Sequence, residues 1–418
     1  MQKREFLRSL GQVSLGAVLA PELLTYAHRT APEALARDGD FWESVRGGYR
    51  LVPDYINLEN GYYSMQSSAV LEQYVSHVRA INYQASRYMR TVQSDDALET
   101  RRQLAALAGC AVEELIVTRN TTESLDTVIA GYDWKPGDEA VMAAQDYGAM
   151  LDQFRLMARR HGLVNRVVSL PFDPATDDEV VQLYANAITP KTRLLMVCHL
   201  VNITGHILPI RKIAEMAHAR GVDVLVDGAH AFAQLEFRIP DLGVDYYGAS
   251  LHKWLGAPLG AGMLYVRREK IAGLWPVFGD AVSTPDDDIR KLNHRGTHPV
   301  HTDLAIRDAI AAHQAIGIQR KEARLRYLQR YWSDQVRDRP NVVLNTPRDP
   351  VRSCAIANVG VTSMPPRELH RRLFDEHKVW TVAIDNAGVR GVRVTPHLYT
   401  TTAELDTFVG ALGVLARG

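Results

Sequence analysis

Between residues 115 and 266 the chain repeats one pattern, a short apolar run followed by a stretch of helical period. The runs predict strands at 115–118, 140–144, 166–170, 194–199, 222–226, 246–249 and 262–266, with amphipathic stretches such as 150–160 and 210–220 between them. Strands separated by helices cannot join through tight turns. Each crosses over to its neighbour, so the pattern selects an α/β fold with a mainly parallel seven-stranded sheet covered by helices. Past about Thr302 the alternation stops. One long helical stretch runs through Val336, strands follow near Val342 and Ala355, and a last helix begins near Ala403, which reads as a smaller α+β domain.

Composition narrows the function classes. The chain has 418 residues, with 48 Lys plus Arg against 48 Asp plus Glu, so its formal net charge is zero. A nucleic-acid or anionic-membrane binder needs excess cation, so neither partner is expected. The cysteines number three, Cys110, Cys198 and Cys354, and no CxxC pair exists. A disulfide framework, structural zinc and a metal centre are therefore not expected.

The first 27 residues read as an address. Lys3-Arg4-Glu5-Phe6-Leu7-Arg8 precedes a mildly apolar stretch from Leu10 to Ala20. A basic start before a short, weakly apolar segment is the pattern of an export signal. It resembles the twin-arginine signal, with Lys3 in place of the first arginine, and implies a periplasmic protein; a cytoplasmic one is the alternative. The remaining divisions are an N-terminal segment at 28–59, a large domain at 60–301 and a small C-terminal domain at 302–418.

Two elements carry the chemistry. The run Val224-Leu225-Val226 ends in Asp227-Gly228-Ala229-His230, and Ser250-Leu251-His252-Lys253-Trp254 places a lysine 26 residues after that aspartate. A strand-end aspartate lies at the carboxyl edge of the sheet, where open α/β folds bind ligands, and a lysine just past the next strand returns to that edge. An acid and a lysine in one pocket are what pyridoxal phosphate requires. The lysine forms the Schiff base, and the acid keeps the pyridine nitrogen protonated so that the ring acts as an electron sink.

With these elements the chain resembles fold-type I pyridoxal-phosphate enzymes of the aminotransferase class V family over roughly residues 50 to 415. The Asn57-Leu58-Glu59-Asn60-Gly61-Tyr62 segment, the Thr204-Gly205 pair and the Arg393-to-Tyr399 ending resemble its isopenicillin N epimerase-like group. The resemblance implies that Thr121, Thr122, Ser250 and His252 hold the phosphate, and that Tyr147 lies over the cofactor ring. Asn202 and His230 would meet the phenolic oxygen. It further implies that Thr297 reaches the phosphate of a neighbouring subunit, hence a homodimer, and that Arg393 grips a substrate carboxylate. Lys253, assisted by Tyr147 and His230, is the expected catalytic group.

The expected activity lies at the α-carbon of an amino acid or peptide-linked amino acid, as an aminotransferase or epimerase. A β-elimination or carbon–sulfur lyase is the alternative, and a non-catalytic module that only binds the cofactor is a further one. A desulfurase acting through an enzyme persulfide is not expected, because no cysteine lies between Cys354 and Arg393. Epimerisation needs a second acid/base group, and Tyr62, Tyr63, His298 and His301 remain open for that role.

Overall fold

The structure, a computed structural model, describes residues 21–279 and 284–417. The twin-arginine-like motif lies outside the described residues. The first described element is helix α1, Pro21–Arg29, whose Ala27 is buried in the core, with Leu23 and Leu24 packed against it.

The strands are β1 (Ile56–Asn57), β2 (Leu115–Thr118), β3 (Glu139–Ala143), β4 (Val164–Val168), β5 (Thr192–Cys198), β6 (Asp223–Asp227), β7 (Tyr246–Ser250), β8 (Gly262–Val266), β9 (Val342–Leu344), β10 (Ala357–Val361), β11 (Val379–Trp380), β12 (Val382–Asn386) and β13 (Val389–Val394). Strands β2 to β8 form one sheet in the order β2-β8-β7-β6-β5-β3-β4. Only β8 runs antiparallel to its neighbours. All seven predicted strands are present, displaced by no more than two residues at either end. Apart from the partly exposed edge strand β4, their apolar runs follow from burial on both faces. Leu195 and Val197 enter one core cluster, while Leu194 and Met196 enter the other.

The principal helices after α1 are α2 (Ser68–Gln84), α3 (Gln93–Ala108), α4 (Thr121–Gly131), α5 (Gly148–His161), α6 (Asp177–Ala187), α7 (Ile210–His218), α8 (Val300–Ile316), α9 (Ile318–Val336), α10 (Pro366–His377) and α11 (Thr402–Leu415). The single long helix expected past Thr302 is two. Gly317, at φ +85°, ends α8 and starts α9. The break lets α8 pack on α2 and α3 beside the large sheet while α9 packs on α11.

Strands β9, β10, β12 and β13 form a second, antiparallel sheet in the order β12-β13-β10-β9. A third core lies on it, with Trp332 and Phe408 edge to face at 5.2 Å. Strand β1 pairs in parallel with β11, so the segment before the large sheet is tied to the C-terminal region. Strands β11 to β13 were not expected from sequence. They are short, and the lone charges of Val389-Arg390-Gly391-Val392-Arg393-Val394 hide the apolar face. No helix among the described residues is long and apolar enough to cross a membrane.

Candidate active site

Strand β4 lies to one side of β3, whereas β5 and β6 continue on the other, so the sheet changes winding direction between β3 and β5. Open α/β sheets bind ligands at the carboxyl ends of strands beside such a point. A cavity of about 390 Å³ opens there. Tyr147 follows β3, Asn202 follows β5, Asp227 ends β6, and Ser250 ends β7. Because β8 is antiparallel to β7, the turn joining them stays on this edge, and it carries His252 and Lys253. The start of α4 contributes Thr121 and Thr122, and β13 of the second sheet contributes Arg393. Ten of the eleven expected residues therefore line one cavity.

The eleventh does not. Thr297 lines a separate cavity with Arg295, His298 and Asp303. Of the four residues left open for a second acid/base role, Tyr62 alone lines the main cavity. His298 pairs with Asp303 at 2.9 Å, His301 packs on Tyr74 at 5.4 Å, and Tyr63 lies 6.5 Å from the His252 ring.

The anion cradle follows from helix chemistry. Asn120 caps α4 by accepting the Glu123 N–H at 2.8 Å. The Thr121 N–H donates to Ser250 Oγ at 3.0 Å, and the two hydroxyls are 2.7 Å apart. Hydroxyls and N–H groups at a helix start suit a phosphate. His252 Nδ1 lies 3.2 Å from the Ala261 carbonyl, and burial lowers its pKa to about 4, so the ring is neutral.

At the floor, Asp227 accepts the Ala229 N–H at 3.0 Å and the Cys198 thiol at 3.8 Å. Burial pushes its carboxyl up, opposed by that N–H and by the charge of Lys253. The Cys198 thiol is held well above its ordinary pKa by burial and by the Asp227 and Asp146 carboxylates. Cys198 was missed as a lining residue, and nothing in its sequence context marks it.

Lys253 Nζ is 3.0 Å from His230 Nε2. On the other side of the ring the Trp254 indole N–H donates to Nδ1 at 3.4 Å. An indole can only donate, so Nδ1 accepts and Nε2 of the neutral ring carries the hydrogen. That hydrogen points to the lysine nitrogen and needs a lone pair there, which is the neutral amine. Burial favours the same state, lowering Lys253 to about 8 and His230 well below its ordinary value.

The donor set fits pyridoxal phosphate. The Asn202 amide has a buried Oδ1 without a protein partner, on a side chain that lines the cavity. Asp227 is a buried acid that a cationic ring nitrogen would restore to its charged form. Thr121, Thr122 and Ser250 offer neutral donors to the phosphate, whereas the neutral His252 ring gives its one N–H to the Ala261 carbonyl. When bound, the cofactor supplies an electron sink that weakens the bonds at the α-carbon of an amino substrate.

A fold-type I architecture with this lysine and aspartate defines a pyridoxal-phosphate enzyme. The chain belongs to the aminotransferase class V family, whose model matches residues 58–407. It is 28% identical over 398 residues to isopenicillin N epimerase of Streptomyces clavuligerus, covering 90% of this chain and 98% of that one. It is 27% identical over 410 residues to a probable cysteine desulfurase of Halobacterium salinarum, covering 91% and 95%. Among solved structures it resembles the cysteine desulfurase of Thermococcus onnurineus NA1, with TM-score 0.80, 21% identity and 90% and 98% of the two chains covered. A C-DES mutant with glycine covalently linked to its pyridoxal-phosphate cofactor matches at TM-score 0.79 and 21% identity, covering 88% and 98%.

Proposed function

We propose that the enzyme acts at the α-carbon of an amino acid or peptide-linked amino acid, as an aminotransferase or epimerase, with Lys253 moving the α-proton. The observation that carries this reading is the Lys253 amine, 3.0 Å from a histidine ring that donates to it. In its neutral form that amine can take a proton. Asp227 would hold the proton on the ring nitrogen, and Tyr62 stands as the candidate for the second acid/base group. Arg393 supports a substrate that bears a carboxylate, because a guanidinium pairs with it bidentately.

The thiols support a reaction without an enzyme persulfide. Burial raises Cys110 and Cys354 to about 12 and Cys198 well above its ordinary value. A thiol attacks as thiolate, which all three disfavour. The second reading is β-elimination, which starts with the same proton removal and needs no enzyme thiol. The relatives named as cysteine desulfurases favour it.

In deuterium oxide, with single amino acids of either hand, the enzyme should place deuterium at the α-carbon, and Lys253→Ala should not. Epimerisation returns the opposite hand, and amino transfer without an acceptor yields one keto acid per site. Catalytic keto-acid release with a freed β-substituent moves the assignment to β-elimination. A cofactor-loaded protein that exchanges no α-hydrogen overturns both readings.

A further inference from the structure

The guanidinium of Arg393 already holds a carboxylate, that of Glu59. Nη2 donates to Oε1 at 2.6 Å and Nε to Oε2 at 3.2 Å, the two-pronged geometry by which arginine recognises a carboxylate. The side chains are 9% and 8% exposed. Nη1 donates to the Asn202 carbonyl at 3.3 Å. Gly61 lies against the guanidinium, where a Cβ would stand 3.1 Å from Cζ and 3.2 Å from Nη2.

Glu59 is itself held in place. Its Oε1 accepts the Tyr62 N–H at 2.9 Å, and its own N–H donates to Asn57 Oδ1 at 3.0 Å. The next residue, Asn60, bonds Thr395 through its backbone N–H at 2.6 Å and its Nδ2 at 2.7 Å. Arg393 and Gly61 line the cavity and Glu59 does not. A guanidinium has five N–H groups. Glu59 and Asn202 take three, which leaves one on Nη1 and one on Nη2.

We propose that Glu59 is a specificity-determining residue: it compensates the charge of Arg393, so that the site retains a carboxylate only when the amino group of the same molecule is held as well. The proposal rests on the reading of Arg393 as the carboxylate receptor. An unpaired cation in this cavity would attract any small anion. With Glu59 in place, the two remaining N–H groups still define direction, but its negative charge opposes the incoming anion. A carboxylate alone gains little against that repulsion. An amino acid adds the attachment of its nitrogen, and a keto acid that has lost its nitrogen is released.

Glu59→Gln keeps the side-chain shape and removes the charge. The probes are L-alanine, propanoate, which lacks the amino group, and ethylamine, which lacks the carboxylate. Binding to cofactor-loaded enzyme is measured by calorimetry. Propanoate should bind Glu59→Gln about tenfold tighter than wild type, the size of one unit charge several ångströms away in a partly polar site. Ethylamine should be unchanged. A damaged site does not bind an anion more tightly, so a gain separates this role from a structural one.

Equal or weaker propanoate binding in a Glu59→Gln protein with intact visible absorption overturns the proposal. Wild type supplies a check that needs no variant: propanoate binding as tight as that of L-alanine overturns it too. Arg393→Gln separates the two layers of the argument. If that change leaves L-alanine affinity unaltered, the receptor reading fails. If it weakens L-alanine but Glu59→Gln gains no propanoate affinity, only the role of Glu59 fails.

Discussion

Lys253 is the residue at which sequence pattern and local environment meet. Burial lowers its amine to about 8, so the neutral form that can attack an aldehyde grows as pH rises to that value. Cofactor-free protein should therefore capture pyridoxal phosphate faster with rising pH and level off above about 8. A capture rate independent of pH would contradict the assignment. Lys253→Ala should lose the visible absorption of the lysine-bound cofactor while its far-ultraviolet circular dichroism stays unchanged. These residues were legible because Asp227, Asn202, Ser250 and Lys253 sit at strand ends, where the α/β pattern itself directs them to one edge. Glu59 was visible only as a letter in its segment. Its partner lies 334 residues away, and no local signal connects them.

At the scale of elements, close approach decides where the sequence has no freedom. Gly205 has φ +79°, and a Cβ there would stand 1.9 Å from the Ile356 carbonyl oxygen. Gly205→Ala should lower stability by about 2 kcal/mol or more, read from urea unfolding, since both the backbone and the neighbouring carbonyl resist it. Gly317 was not foreseen as a break, because a glycine inside a helical pattern is often tolerated. Only the two packing surfaces, large-domain helices for α8 and α11 for α9, show why the chain turns there. Helix α1 has a similar lesson. Its Leu23, Leu24 and Ala27 pack into the core although they belong to the segment read as a signal. A chain lacking residues 1–27 should melt below one lacking residues 1–20, and equal melting points would show that α1 contributes nothing.

Taken as a whole molecule, the chain leaves one expected cofactor contact outside its own site. Thr297 stands with Arg295, His298 and Asp303 in a separate cavity. We propose a homodimer in which this segment completes the neighbouring site. Sedimentation should then show a dimer, and Thr297→Ala should shed cofactor faster on dilution although Thr297 does not line its own subunit's cavity. A monomer that retains cofactor normally in the variant would exclude the shared site. Export by the N-terminal segment is likewise a proposal, tested by fractionating cells that carry the chain with and without residues 1–20.

The sequence by itself determined the parallel sheet, the anion cradle and the lysine–aspartate pair. Each is encoded within a few residues by apolar runs, a helix start or a strand end. Only the tertiary structure decided which carboxylate pairs with the arginine of the cavity and which of four acid/base candidates lines the site. Those outcomes depend on contacts between segments hundreds of residues apart, where burial and hydrogen-bond geometry, rather than local pattern, select the partner.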